Sequence, residues 1–191
     1  MREFNAPGVD IEQLAVTRIF AGPRQPLLVG QLWQKQTAIL VFLRHFACIA
    51  CRAHATQVWA DREKYERSGA RIIFIGNGEP NWIESFRLDL GIEQGVVLTD
   101  PTLLSFEAAG LRSGFFDLIS PKSAMNMMKL AKDGYRQTPY TKDAGSHWQM
   151  GGILAVNKHG KGLFHFASKA VGDFPDEPYL EVIHKDETAV L

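Results

Sequence analysis

The chain of 191 residues is 46% hydrophobic and 22% charged, which is the composition of a folded globular protein with a substantial core. Its 21 lysines and arginines balance its 21 aspartates and glutamates. Because the chain has no excess of positive charge, we expect neither nucleic acid nor a membrane surface among its partners.

Two features bear on location and domain count. No apolar stretch reaches the roughly 18 residues that a membrane-spanning helix needs. Residues 1–8 lack the apolar core of a signal peptide, so we expect a cytoplasmic protein. The length predicts a single domain over residues 1–191, with room for an insertion.

The first half of the chain alternates extended and helical patterns. Ile19-Phe20 and Leu27–Val29 flank a stretch rich in glycine and proline, which predicts a hairpin. The stretch Ile39–His45 is apolar on both faces, as an interior strand of a parallel sheet must be. A helix is predicted from about Cys48 to Arg67, where Ser68-Gly69 ends it.

The remaining elements continue this alternation and then change to a hairpin. They are the predicted strands Arg71–Ile75 and Val96–Leu98, the helices Pro80–Leu88 and Leu103–Ala109, the hairpin Ile153–Val156 with Leu163–Phe166, and a last helix Pro178–His184. This order predicts an α/β fold of the thioredoxin-like plan, with a mixed central sheet flanked by helices on both faces. Residues 114–147 do not fit the plan. We expect an inserted helix and loop there, used for packing over the sheet or as a lid or partner surface.

The two cysteines of the chain, Cys48 and Cys51, lie where the predicted strand passes into the predicted helix. Structural disulfides are rare in the cytoplasm, so a close pair is expected to be catalytic or metal-binding. Residues three apart on a helix share one face, which brings the two sulfurs within reach of a disulfide. We therefore predict a redox-active dithiol pair that works without a cofactor or a metal.

The two thiols are expected to have different roles. Cys48 is predicted to be the attacking thiol, exposed at the mouth of the helix, where thiol pKa values fall from ~8.5 to roughly 3.5–7.5. Cys51 aligns with the apolar side of the helix, so we expect it to be buried and to resolve the oxidised Cys48. The supporting candidates are Arg44, His45 and Arg52. On a regular strand Arg44 and His45 face opposite sides, so only one of them would reach the sulfur.

Two alternatives to a redox pair remain open. A common zinc ligand set of two cysteines and two histidines is present in Cys48, Cys51, His45 and His54. A non-catalytic thioredoxin-like binding module would instead use residues 114–147 to dock a partner, with the cysteines as a stabilising link.

Several stretches of the sequence carry a family resemblance. They are Leu32-Trp33, the strand and cysteine stretch Ile39–Arg52, Leu98–Pro101, Gln149–Val156 and Val171–Asp173. Over about residues 14–184 the chain resembles the peroxiredoxin-like proteins of the alkyl hydroperoxide reductase/thiol-specific antioxidant (AhpC/TSA) superfamily. It is most similar to the branch that includes selenoprotein U relatives. The Cys-x-x-Cys-Arg element after an apolar strand is the most specific part.

The resemblance implies a thioredoxin fold and an antioxidant oxidoreductase in which Cys48 attacks and Cys51 is the second redox residue. Val41 and His45 stand where typical peroxiredoxins carry the proline and threonine of Pro-x-x-x-Thr-x-x-Cys. Met150-Gly151 stands where thioredoxins carry a proline that faces the pair. The expected substrate is therefore a peroxide or a disulfide, and the expected partner a thioredoxin- or glutathione-type reductant. The sequence leaves a homodimer open.

Overall fold

A computed structural model describes residues 4, 6–114 and 121–175. The strands in this part of the chain are β1 (Arg18–Phe20), β2 (Pro26–Leu28), β3 (Thr37–Phe42), β4 (Ala70–Gly76), β5 (Val96–Thr99), β6 (Gly152–Val156) and β7 (Gly162–Ala167). They form one mixed sheet in the order β2-β1-β5-β4-β3-β6-β7. β3 pairs parallel with β4 and antiparallel with β6, so both of its edges are occupied.

Helices cover both faces of this sheet. The described α-helices are α1 (Ile11–Val16), α2 (Ile49–Ala60), α3 (Arg62–Arg67), α4 (Trp82–Leu90), α5 (Leu104–Ala108) and α6 (Pro121–Lys132). Two short 3₁₀ helices are formed by Val29–Leu32 and Lys142–Ala144. The predicted α/β, thioredoxin-like fold is thus confirmed, together with its early hairpin and its late hairpin. The predicted last helix, Pro178–His184, lies outside the described residues, and the single domain over residues 1–191 stays a prediction.

The sheet separates two apolar cores. Every residue of β3 is buried, and alternate side chains enter opposite cores because successive residues of a strand point to opposite faces. Val41 belongs to the core that also contains the two cysteines. Phe42 belongs to the other core, where its ring meets Phe106 with centroids 5.0 Å apart. The position of the cysteine pair is therefore fixed by a strand that is buried along its whole length.

Two predicted boundaries were wrong in a way that matters for the site. β3 ends at Phe42 rather than at His45, because its pairing with β6 ends there, at Gly152. Arg44 and His45 consequently lie on a loop, and the rule that strand neighbours face opposite sides does not apply to them. The long helix predicted to run to Arg67 is divided at Asp61 into α2 and α3.

The described part of the insertion at 114–147 is a helix followed by a loop, as predicted. α6 packs against α2, and Met127 and Leu130 contact the cysteine-containing core. Met125 and Met128 point outward and are more than half exposed. Within the described residues, no helix is long and apolar enough to cross a membrane.

The carboxyl end of β4 is packed so closely that it tolerates no side chain. A Cβ added at Gly76 would overlap the ring of Phe46, which lies in the loop between β3 and α2. We expect Gly76→Ala to lower the free energy of unfolding by about 1–3 kcal/mol, the usual cost of overpacking a core. The double variant Gly76→Ala/Phe46→Leu should recover part of this loss in urea unfolding, with Phe46→Leu as the control. Strictly additive losses would contradict the predicted overlap.

Candidate active site

Cys48 lies at the first position before α2, directly after the loop that leaves β3. Its N–H donates to the His45 carbonyl at 3.2 Å, which closes the loop into a turn. Its carbonyl accepts from the Arg52 N–H at 3.0 Å and so begins the helical hydrogen-bond series. Cys48 therefore occupies the N-cap of α2, and its side chain makes no capping hydrogen bond to the helix.

Both thiols are buried, which corrects the prediction that Cys48 is exposed. Cys48 is 2% exposed and Cys51 is 4% exposed. Both sulfurs belong to one of the two apolar cores, and two groups of the insertion lie beside them. Gln137 reaches the first turn of α2 from the loop after α6, and the carbonyl of His147 reaches Arg44 from the end of that loop.

Arg44 contacts both sulfurs and joins them to the insertion. Its guanidinium lies 3.4 Å from the Cys48 sulfur and donates to the His147 carbonyl at 2.7 Å. Its backbone N–H donates to the Cys51 sulfur at 3.1 Å. The side-chain amide of Asn77, just after β4, donates to the Arg44 carbonyl and fixes the backbone from behind. One arginine thus places a positive charge against Cys48 and a hydrogen-bond donor against Cys51.

This environment separates the two thiols electrostatically. A hydrogen bond from the Cys51 thiol lowers the pKa of Cys48, burial opposes this effect, and the charge of Arg44 lowers the pKa further. The net result is a pKa of about 6 in place of the ordinary 9.0. Burial raises the pKa of Cys51 well above 9.0, and its hydrogen bond to Cys48 raises it further. At neutral pH the arrangement therefore favours a Cys48 thiolate beside a protonated Cys51.

His45 is placed in a cluster of rings rather than as a cation beside the sulfur. Its ring centroid is 5.4 Å from that of Tyr140 and 5.3 Å from that of His147, both edge-on. Burial and the charge of Arg44 lower the pKa of His45 to about 3, so the imidazole is neutral at physiological pH. Its Nδ1 is buried without a hydrogen-bond partner. His45 can therefore serve as a neutral hydrogen-bonding group, while charge stabilisation falls to Arg44.

Arg52 and His54 are held by other partners. Arg52 donates to Asp89 at 3.0 Å, and its guanidinium lies over the ring of Phe86. Its supporting role toward Cys48 stays a prediction. His54 stacks on Phe174 with centroids 3.9 Å apart. Within residues 4, 6–114 and 121–175, no group of three or more His, Cys, Asp or Glu side chains is arranged to hold a metal. This finding gives the zinc alternative no support.

A small cavity adjoins Cys51. It is lined by Cys51, His54 and Phe174 together with the backbone around Gly151 and Gly152. Its free space of about 10 Å³ is close to what one water molecule requires.

Sequence reasoning missed Gln137, His147, Tyr140 and Asn77. The first three come from the insertion, far along the chain from Cys48, and no local pattern marks them. The position of Asn77 could have been inferred from the sequence, because Gly76-Asn77-Gly78 follows the strand that pairs parallel with β3. Residues after neighbouring parallel strands meet at the same edge of a sheet.

The sequence profile of the AhpC/TSA antioxidant enzyme family matches residues 57–170, more than half of the chain. The chain belongs to this family. The match begins after Cys51, so membership of the AhpC/TSA family does not by itself assign roles to the two cysteines.

Named relatives of this AhpC/TSA protein include "Thioredoxin-like protein AAED1, chloroplastic" of Arabidopsis thaliana, 30% identical over 164 residues. The alignment covers 81% of this chain and 64% of the relative, so the chain spans less than two thirds of that relative's length. "Prostamide/prostaglandin F synthase" of Danio rerio is 28% identical, with 77% and 73% covered. The selenoprotein U branch and the cytoplasmic location stay predictions.

Solved peroxiredoxin structures share the fold of this AhpC/TSA protein. Peroxiredoxin 5 from Alvinella pompejana superposes with a TM-score of 0.62 at 12% identity, covering 90% of this chain and 95% of that one. Peroxidoxin BcpB from Mycobacterium tuberculosis gives 0.59 at 11% identity, with 92% and 93% covered. At such identities the similarity establishes the fold alone.

Removing the charge of Arg44 should weaken the Cys48 thiolate. For Arg44→Met we expect the pKa of Cys48 to rise from about 6 by at least about one unit, toward the ordinary thiol value. The measurement is the ultraviolet absorbance of the thiolate against pH. Arg52→Met is the matched control, because that arginine pairs with Asp89. An equal rise in both variants would contradict the assignment of this role to Arg44.

The two buried histidines should make the protein sensitive to acid. His45 and His54 have pKa values lowered to about 3 in the fold, against 6.5 when unfolded. Below pH 6.5 these two histidines are protonated in the unfolded chain but stay neutral in the folded chain. The free energy of unfolding, which is at its full value above pH 6.5, therefore decreases as the pH falls toward 3. Each histidine contributes up to about 1.4 kcal/mol per pH unit.

Urea unfolding between pH 7 and 4 measures this loss. His54→Phe should reduce the dependence on pH, because the phenyl ring keeps the stacking on Phe174 without a titrating group. His159→Asn, on an exposed turn, is the control. An unchanged slope in His54→Phe would show that His54 does not resist protonation in the fold.

Proposed function

We propose that the protein is a thiol peroxidase that reduces peroxides through a Cys48–Cys51 dithiol/disulfide cycle. The observation that carries the proposal is the position of the Arg44 guanidinium, 3.4 Å from the Cys48 sulfur. With the hydrogen bond from Cys51, it gives Cys48 a pKa of about 6. A thiolate at neutral pH is the nucleophile that such chemistry needs.

The reaction proceeds in two steps. The Cys48 thiolate attacks one oxygen of the peroxide, the O–O bond breaks, and the other oxygen leaves as an alcohol or water after taking up a proton. Cys48 is now a sulfenic acid. Cys51 then loses its proton and attacks the Cys48 sulfur, so that a disulfide forms and water leaves. A dithiol reductant of the thioredoxin type, or two glutathione molecules, restores both thiols.

A peroxide fits the site better than a protein disulfide. Cys48 is almost completely buried, so a small peroxide reaches its sulfur with less displacement of the surrounding residues than a protein disulfide requires. Met150 and Gly151 occupy the position where thioredoxins carry a substrate-facing proline, and Met150 is itself buried. Hydrogen peroxide and organic peroxides share the O–O bond that the thiolate would break, so both belong in the substrate panel.

The two cysteines should be separable by single-turnover kinetics. Cys48→Ser is expected to abolish peroxide consumption, because no other thiolate replaces the nucleophile. Cys51→Ser should still consume about one equivalent of peroxide and then stop with a Cys48 sulfenic acid, detected by mass as one added oxygen. Steady turnover with thioredoxin or glutathione should require both thiols.

Two results would contradict the proposal. Single-turnover reaction in Cys48→Ser but not in Cys51→Ser would reverse the roles. Absence of peroxide consumption by the reduced wild-type protein, over a panel of hydrogen peroxide and organic peroxides, would favour the non-catalytic binding module instead.

A further inference from the structure

The first turn of α2 is capped by a side chain from the insertion. The N–H of Ile49, the residue after Cys48, donates to the Gln137 side-chain oxygen at 3.0 Å, across 88 residues of sequence. The N-terminal N–H groups of a helix carry partial positive charge and stabilise anions. Gln137 therefore occupies the N–H of Ile49, the residue next to Cys48. A reacting oxygen near Cys48 could otherwise accept a hydrogen bond from this N–H.

The loop that carries Gln137 is held unevenly. Its far end is fixed, since the Phe46 N–H donates to the Ala144 carbonyl at 3.1 Å and Arg44 donates to the His147 carbonyl. Its near end is fixed by the Tyr135 N–H, which donates to Leu130 in α6. Among the described residues, no backbone-to-backbone hydrogen bond joins 136–140 to the rest of the fold.

Residues 136–140 are thus attached mainly by side chains. Gln137 binds the helix N-terminus, and the ring of Tyr140 contacts that of His147 at a tilt of 34°, with centroids 3.6 Å apart. Through Gln137 the stretch contacts the N-terminal end of α2, where Cys48 is buried. A segment held by few contacts can open locally without unfolding the protein.

We propose that Gln137 is a latch over Cys48. In the closed form its amide oxygen occupies the Ile49 N–H, and the loop excludes substrate from the sulfur. Release of the latch exposes Cys48 and frees that N–H for the peroxide oxygen. Gln137 thereby sets both the rate of access and the size of substrate admitted. The effect on peroxides rests on the function proposed above, whereas the latch itself is testable without peroxide.

The direct test is the alkylation rate of Cys48 by iodoacetamide in the full-length reduced protein, with the two cysteines distinguished by fragment-ion mass spectrometry. Gln137→Ala should increase the Cys48 rate about fivefold, the change in the opening equilibrium that corresponds to one lost hydrogen bond. Gln137→Glu should decrease it, because a carboxylate accepts the Ile49 N–H more strongly and adds negative charge near the thiolate. Arg136→Ala, at an exposed neighbouring position, is the matched control.

The Cys51 rate distinguishes a latch from general loosening. Local opening raises the Cys48 rate alone, whereas global destabilisation raises both rates together. A Cys48 rate that stays within twofold of wild type in Gln137→Ala, or that rises in parallel with the Cys51 rate, overturns the proposal.

Peroxide kinetics then test the substrate selection separately. In Gln137→Ala, kcat/KM for a bulky organic hydroperoxide should rise more than kcat/KM for hydrogen peroxide. Faster alkylation without any peroxide turnover, in wild type or variant, would leave the latch supported and the proposed peroxidase function refuted. Equal gains for large and small peroxides would refute the role in selection by size.

Discussion

The site is organised around a buried positive charge. Arg44 is 6% exposed, and a guanidinium removed from water must find partners inside the protein. It finds the Cys48 sulfur and the His147 carbonyl. The thiolate is thus the anion that accompanies this cation, and the carbonyl ties the insertion to the site. The low pKa of Cys48 and the position of the insertion loop beside α2 therefore depend on the contacts that Arg44 makes.

The sheet holds the start of the loop that carries Arg44 in a fixed position. β3 is hydrogen-bonded along both edges and buried on both faces, so the loop that begins at Leu43 starts from a fixed point. The Leu43 N–H still donates to Ile75 in β4, and Asn77 beyond β4 holds the Arg44 carbonyl. The reactive groups are therefore supported by neighbouring parallel strands, whereas access is controlled by a loop attached through side chains.

The fold and the cysteine pair could be predicted from the sequence because their signals are local. Apolar runs, turn residues and the Cys48–Cys51 spacing each reflect interactions within about one element. The burial of Cys48 and the contacts of Arg44 with Asn77 and His147 could not be predicted, since they depend on how distant parts of the chain pack together. Arg52 shows the same limit. It lies four residues from Cys48 along the chain, but it forms an ion pair with Asp89 of α4 at 3.0 Å.

The contact between Arg44 and Cys48 also bears on the resting oxidation state of the pair. A thiol with a pKa of about 6 is mainly ionised at pH 7, which stabilises the reduced form by about 1.4 kcal/mol relative to an ordinary thiol. For a two-electron couple this corresponds to a reduction potential higher by about 30 mV. Forming the disulfide would also deprive the buried guanidinium of its anion. Both effects favour the dithiol form at rest, so only an oxidant strong enough to overcome this preference converts the pair to the disulfide.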